Sequence, residues 1–181
     1  MAVLARGGYS ALTLRALAEA LGGSMTLVTH YFPTQSDLMK AVLEHQLTLF
    51  DNDLAELQGS SDPAARLRTL LEWFLPDDDE SWDQERARVL LAIHAQSDNE
   101  WMASHLDRIE QRMRELLREH LRPLVDARDL EPATDMVRMT INGIVLSAVE
   151  HRPYWTPQRQ RSVLDLLWTA LPWKGSHAET T

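Results

Sequence analysis

The chain has 181 residues, with 18 Lys+Arg against 27 Asp+Glu and a formal net charge of -9. That acidic surplus argues against a protein that simply coats nucleic acid, while 44% hydrophobic and 25% charged residues suffice for a packed core and exclude overall disorder. Cysteine is absent, which removes disulfide frameworks, thiolate zinc sites and cysteine nucleophiles together; with no secretory leader and no apolar run of membrane length, a cytoplasmic protein without membrane contact is expected.

Apolar residues recur at spacings of three and four rather than two, and Gly and Pro fall between the periodic stretches, so the chain reads as all-α. Thr13 caps a helix to about Ala20, with Leu14, Leu17, Ala18 and Leu21 on one face and Gly22-Gly23 as its stop. Ser24 caps a short helix through Phe32. After Pro33, Thr34 or Ser36 caps a longer helix to about Leu57. Asp62-Pro63 opens a helix ending before Pro76, and Pro76-Asp77-Asp78-Asp79-Glu80 reads as a solvated loop. Ser81 with Gln84 has capping-box spacing and starts a helix to about Gln96. The next spans roughly Asp98 to Leu121, with Ile109, Met113, Leu116, Leu117 and Leu121 in one stripe. From about Ala133 to Glu150, Val137, Ile141, Ile144, Val145 and Ala148 share a face, while Met136, Met139, Leu146 and Val149 are apolar elsewhere, so this helix wants contacts on two sides. Thr156-Pro157 caps a final helix to about Leu171, and a polar tail follows Trp173.

The charge divides along the same chain. Residues 1–45 balance Arg6, Arg15 and Lys40 against Glu19, Asp37 and Glu44, so the whole surplus lies beyond them. Within this neutral segment Ala18, Gly22 and Val28 fall at helix-turn-helix spacing. Each has a steric reason: Ala18 lets two helices cross closely, Gly22 permits the positive φ of a sharp turn, and Val28 plugs the space between the helices.

With Gly7-Gly8-Tyr9, Thr13, Leu17-Ala18, Gly22, Ser24, His30-Tyr31-Phe32-Pro33, Asp37 and Leu38, the segment resembles the TetR family of regulators. Met139-Thr140-Ile141-Asn142-Gly143-Ile144-Val145-Leu146 looks like that family's dimerisation helix. The resemblance implies a helix-turn-helix DNA-binding domain over 1–45, a helical effector-binding and dimerisation domain over 46–173 and a polar tail over 174–181. It further implies a homodimer through the last two helices, and a ligand-responsive regulator, more a repressor than an activator, released from a double-stranded DNA operator by a small effector. The helix from Ser24 enters the major groove, so Thr13, Met25, Thr26, Leu27, Thr29, His30 and Tyr31 become the DNA-contact set. Thr26 and Thr29 are placed to bond base edges or pack methyls on thymine, and Thr13, Tyr31 and the amides starting the Thr34 helix to meet phosphates. Two departures stand out. Gln35 replaces a lysine common after the family's Phe-Pro, and only Met1 to Arg6 precede Gly7, so a truncated first helix and weakened DNA binding are expected.

The effector pocket is expected among Trp73, Trp82, His94, Trp101, Met102, His105 and Met113, whose apolar walls suit a hydrophobic or aromatic ligand. Large residues at helical spacing are, however, also what an ordinary core contains. His94 and Asp98, four apart, make an incomplete metal site, so no metal or other cofactor is expected. No nucleophile elbow, phosphate loop or two-histidine zinc motif occurs, and an enzyme is not expected. The rival reading is a helical small-molecule-binding or interaction protein without functional DNA binding.

Overall fold

Backbone carbonyl and amide groups at a helix end need partners, and the sequence supplies them at nearly every start. In the computed structural model, which describes residues 11–57, 60–94 and 100–175 but not the side chains of Glu56, Leu91, Ile93 and His94, this yields eight helices. They are α1 (Leu14–Ala20), α2 (Met25–Tyr31), α3 (Gln35–Glu56), α4 (Pro63–Trp73), α5 (Asp79–His94), α6 (Glu100–Leu121), α7 (Leu130–Glu150) and α8 (Pro157–Ala170). The expected short first helix, the Gly7-Gly8-Tyr9 turn and the tail from residue 176 lie outside the described residues. Pairing of the strand type is confined, among the described residues, to one isolated bridge between Val125 and Trp173.

The Thr13 hydroxyl accepts from the Ala16 amide at 3.0 Å, Ser24 from Leu27 at 3.3 Å and Thr156 from Arg159 at 3.4 Å. Asp62 accepts from both Ala64 and Ala65, each at 3.2 Å. Thr34, not Ser36, caps α3 and shares a reciprocal box with Asp37. Each such cap is worth about 1 kcal/mol.

Two boundaries differ from expectation. Helix α5 begins at Asp79 because Asp78, not Ser81, is its cap: the Ser81 amide donates to the Asp78 carboxylate at 2.7 Å, and the Ser81 hydroxyl accepts from the amides of Asp77 and Asp78 at 3.2 and 3.1 Å. A carboxylate outcompetes a hydroxyl at the positive end of a helix. The Ser81 hydroxyl, which donates to Asp78 Oδ1 at 2.6 Å, and then the Ser81 amide hold the Asp78 carboxyl below the usual carboxylate range. Helix α7 begins at Leu130 rather than Ala133, since Pro132 sits in the first turn, where its missing N–H has no acceptor to lose.

Two apolar clusters organise the packing. The larger joins α4, α6, α7 and α8 around Leu67, Leu117, Leu121, Val137 and Leu164. The smaller joins Leu38, Met39 and Leu43 of α3 to Ala87 of α5 and Met102 of α6, with Leu14, Leu17 and Phe32 packed on it. Helix α3 reaches both, because Leu54 belongs to the larger cluster. Polar ties reinforce these contacts: Arg112 of α6 pairs with Asp51 of α3 at 3.2 Å, and Arg138 of α7 with Glu110 of α6 at 2.7 Å. The buried Gln160 side chain donates to the carbonyls of Pro76 and Trp155 at 3.1 and 3.0 Å, stapling the α4–α5 and α7–α8 connections together.

Candidate functional site

Helices α1 and α2 pack on each other across the turn at 21–24. The amides of Gly22 and Gly23 donate to the carbonyls of Glu19 and Ala18 at 3.2 and 3.1 Å, closing α1. Gly22 has φ 62°, and a Cβ built there meets nothing within 4 Å, so conformation rather than space demands glycine. Ala18 and Val28 are both buried in the contact. With Val28 inward, 100° per residue turns Thr26 and His30 directly away from the protein, with Leu27 and Thr29 on either flank. Met25, Thr26, Leu27, Thr29, His30 and Tyr31 are all exposed.

The polar groups of this face differ in availability. The Thr29 hydroxyl donates to the Met25 carbonyl at 2.9 Å, with the Thr26 carbonyl 3.2 Å away. Thr13 uses its oxygen as a cap acceptor and keeps its proton for another partner. Tyr31 meets His30 edge to face at 5.2 Å. At the start of α3 the Thr34 amide donates to Asp37 Oδ2 at 3.1 Å and the Asp37 amide to Thr34 Oγ1 at 3.1 Å. Two of the amides expected to serve phosphate are therefore engaged internally, beside a carboxylate that repels it. Arg15 is likewise tied to Glu19 at 3.0 Å.

Among the described residues, the aromatic and methionine side chains of the expected pocket have different neighbours. Trp101 stacks on His105 at 5.4 Å, the Lys40 ammonium lies 5.6 Å from the Trp101 ring centroid, and Met102 is buried in the smaller cluster. His105 is 1% exposed. Burial holds its pKa below the usual histidine value; Arg108, 3.3 Å from Nδ1, pushes the same way, and Glu44 opposes both. The imidazole is thus neutral at pH 7, with Nδ1 accepting from Arg108. Trp73 instead packs against Phe50 and Phe74 in the larger cluster. Trp82 donates from Nε1 to the Ala148 carbonyl at 3.1 Å, and its ring carries the guanidinium groups of Arg86 and Arg152. Met113 is half-buried on α6. The His94 side chain and Asp98 lie outside the described residues.

A family model described as the BetI-type transcriptional repressor C-terminal domain matches residues 63–170, and one for bacterial regulatory proteins of the tetR family matches residues 1–42. The chain belongs to the TetR family. Solved structures share its fold. A transcriptional regulator from Rhodococcus sp. Rha1 superposes with TM-score 0.83 at 21% identity, over 93% of this chain and 89% of that one. A transcriptional regulator from Saccharomonospora viridis, in complex with choline, gives 0.82 at 19% over 93% and 91%. A TetR transcription regulator from Haloarcula marismortui gives 0.78 at 23% over 93% and 90%. No curated protein matches the chain in sequence. As a TetR-family chain with a helix-turn-helix and a helical C-terminal unit, this is a DNA-binding transcriptional regulator. TetR-family regulators bind DNA operators, form dimers and bind small effectors, and they are generally not enzymes.

In this TetR-family chain α7 buries one face and leaves another open. Val137, Ile141, Ile144, Val145 and Ala148 are buried, whereas Met139 is 69% exposed and Leu146 of α7 and Leu166 of α8 are also in solvent. No described helix is long and apolar enough to cross a membrane. Sequence reading overlooked Lys40, Glu44 and Arg108, the charged groups around the Trp101–His105 pair. Lys40 and Glu44 are spaced like an ordinary surface pair; only Arg108, one turn beyond His105, carried a local signal.

Proposed function

We propose that the chain is a homodimeric cytoplasmic repressor, without enzymatic activity, that reads its operator with α2 and releases it on binding a small effector. The observation carrying this reading is the polarity of α2: Val28 is buried while every other residue from Met25 to Tyr31 is exposed. Residues 1–45 act as the reader and 46–173 as the effector and dimer unit. Met25, Thr26, Leu27, Thr29 and His30 face base edges, and Thr13 and Tyr31 face phosphates. Helices α7 and α8 of two subunits form a four-helix interface that covers Met139, Leu146 and Leu166. Two α2 helices are then offered to successive major grooves.

For the effector we favour the Trp101, Met102 and His105 group over Trp73 and Trp82, because Met102 and Trp101 belong to the apolar cluster that holds Leu38 and Met39 of α3 together with Leu14 and Leu17 of α1. Choline is bound by the Saccharomonospora viridis regulator. Here Lys40 lies over Trp101 and Arg108 against His105, so two fixed cations disfavour a cationic molecule such as choline, while the Trp101 and Met102 walls suit a hydrophobic or aromatic one. Its binding shifts the population toward a spacing of the α2 helices that no longer fits DNA.

Fluorescence anisotropy with the DNA upstream of the chain's own coding sequence tests the reading. Salt-sensitive binding that disappears in a Thr29→Ala, Tyr31→Ala double variant still dimeric by light scattering is the expected result. Absent or salt-insensitive binding by the unaltered protein refutes it. The engaged α3 amides and the Arg15–Glu19 pair favour a second reading, a helical ligand-binding protein without DNA binding, which that outcome would select.

A further inference from the structure

The chemistry of a recognition helix limits which base edges it can read. Guanine is most often recognised by Arg or Lys through O6 and N7, and adenine by Asn or Gln through N6 and N7. The run Met-Thr-Leu-Val-Thr-His-Tyr that forms α2 holds none of these four residues. Among the described residues the nearby cations lie on other helices: Arg15 is on α1 beside Glu19, and Lys40 is on α3 over Trp101.

What α2 does offer is carbon. Leu27 is 53% exposed and Met25 44%, a large apolar display for seven residues with one buried anchor. Thr29 adds to it: the residue is exposed and its hydroxyl is bonded back to the Met25 carbonyl, which leaves the Cβ methyl as the substituent free for an apolar contact. Leu27 and Thr29 flank Thr26 and His30, whose hydroxyl and imidazole supply hydrogen bonds. A thymine in the major groove shows a C5-methyl beside its O4 acceptor. That pairing matches an apolar flank next to a polar centre.

We infer that the operator half-site is read chiefly through the C5-methyl groups of thymines, packed against Leu27 and Thr29, so that T·A pairs define the site rather than hydrogen bonds to guanine. This rests on the placement of α2 in the major groove given above. Burying one methyl group contributes enough to change affinity about fourfold.

The test begins with selection of bound sequences from a randomised duplex pool by the full 181-residue chain. Each thymine of one selected half-site is then replaced singly by deoxyuridine, which removes only the methyl, and affinity is measured by anisotropy. The expected result is a selected site rich in T·A pairs, with one or more thymines whose replacement weakens binding about fourfold. Thr29→Ser, which keeps the hydroxyl and deletes the methyl, or Leu27→Ala should abolish the thymine–uracil difference at the matching position. A site built on invariant G·C pairs and indifferent to deoxyuridine overturns the inference while leaving the DNA-binding reading intact. A uracil effect that survives both variants overturns its assignment to Leu27 and Thr29. Failure to enrich any sequence, with no salt-sensitive binding, overturns both readings.

Discussion

Replacing Gly22 and Gly23 one at a time by alanine should move stability in opposite directions. Neither site lacks room: a Cβ at Gly22 meets nothing within 4 Å, and one at Gly23 meets only Leu27 Cδ2 at an ordinary 3.9 Å. The difference is backbone conformation, because Gly22 has φ 62° and Gly23 has no positive φ. Alanine at Gly22 adopts the left-handed region at a cost of roughly 1–2 kcal/mol. Alanine at Gly23 carries no such cost and restricts the unfolded chain, a gain of roughly 0.4–1 kcal/mol. Because both variants make the same chemical change at adjacent positions, their effects on the unfolded state nearly cancel in the comparison. The expected separation is therefore the left-handed cost alone, roughly 1–2 kcal/mol, or roughly 2–8 °C in melting temperature for a chain this long. Far-UV circular dichroism in urea and on heating reads it, and a Gly22→Asn variant should fall between. Equal shifts, or a Gly22→Ala variant as stable as the parent, would refute the steric account of the turn.

Three further outcomes follow from the packing and the charges. The folded state favours neutral His105, so its contribution to stability is fully present above the ordinary histidine pKa near 6.5 and is lost as pH falls below that toward the depressed folded value. Urea midpoints measured from pH 7.5 to 5 should decline, and less steeply in His105→Gln. Met139→Glu and Leu166→Glu should each yield a monomer by sedimentation with its helical content unchanged, since these side chains are 69% and 71% exposed within one chain. Residues 1–45 hold three cations, Arg6, Arg15 and Lys40. For a dimer, the slope of log affinity against log salt should therefore be no steeper than about −5; a steeper slope would mean that cations from the second unit reach the backbone.

The helix-turn-helix was legible because every residue that makes it acts locally. Thr13 and Ser24 bond amides three residues on, Gly22 sets its own φ, and Ala18 and Val28 are buried on two helices joined by a single turn. The start of α5 was misread because two boxes overlap, Asp78 with Ser81 and Ser81 with Gln84, and only relative acceptor strength decides between them. The aromatic residues were the hardest to place. Spacing reveals that Trp82 and Trp101 sit on helices, but nothing near Trp82 announces that its indole will meet the Ala148 carbonyl, 66 residues away. Nor does the sequence around Lys40 signal Trp101. Such contacts depend on which helices become neighbours, and that is decided by the sum of all the apolar faces together.

Helix α3 joins the two apolar clusters as a rigid rod. Its 22 residues span about 33 Å. Leu54 is clamped at one end in the larger cluster, and Leu38 lies about 24 Å away beneath the reader. Leu38 also packs with Ala87 of α5 and Met102 of α6, so this lever is held by the C-terminal unit at both ends and tilts only as those helices shift. A tilt of only about 5° about Leu54 sweeps Leu38, and the α1–α2 pair resting on it, through about 2 Å. In a symmetric pair of such levers the two readers move in opposite senses, doubling the change in their separation. On the effector site and dimer proposed above, a rearrangement near Trp101 of less than one side chain's width would be enough to change the separation of the two readers.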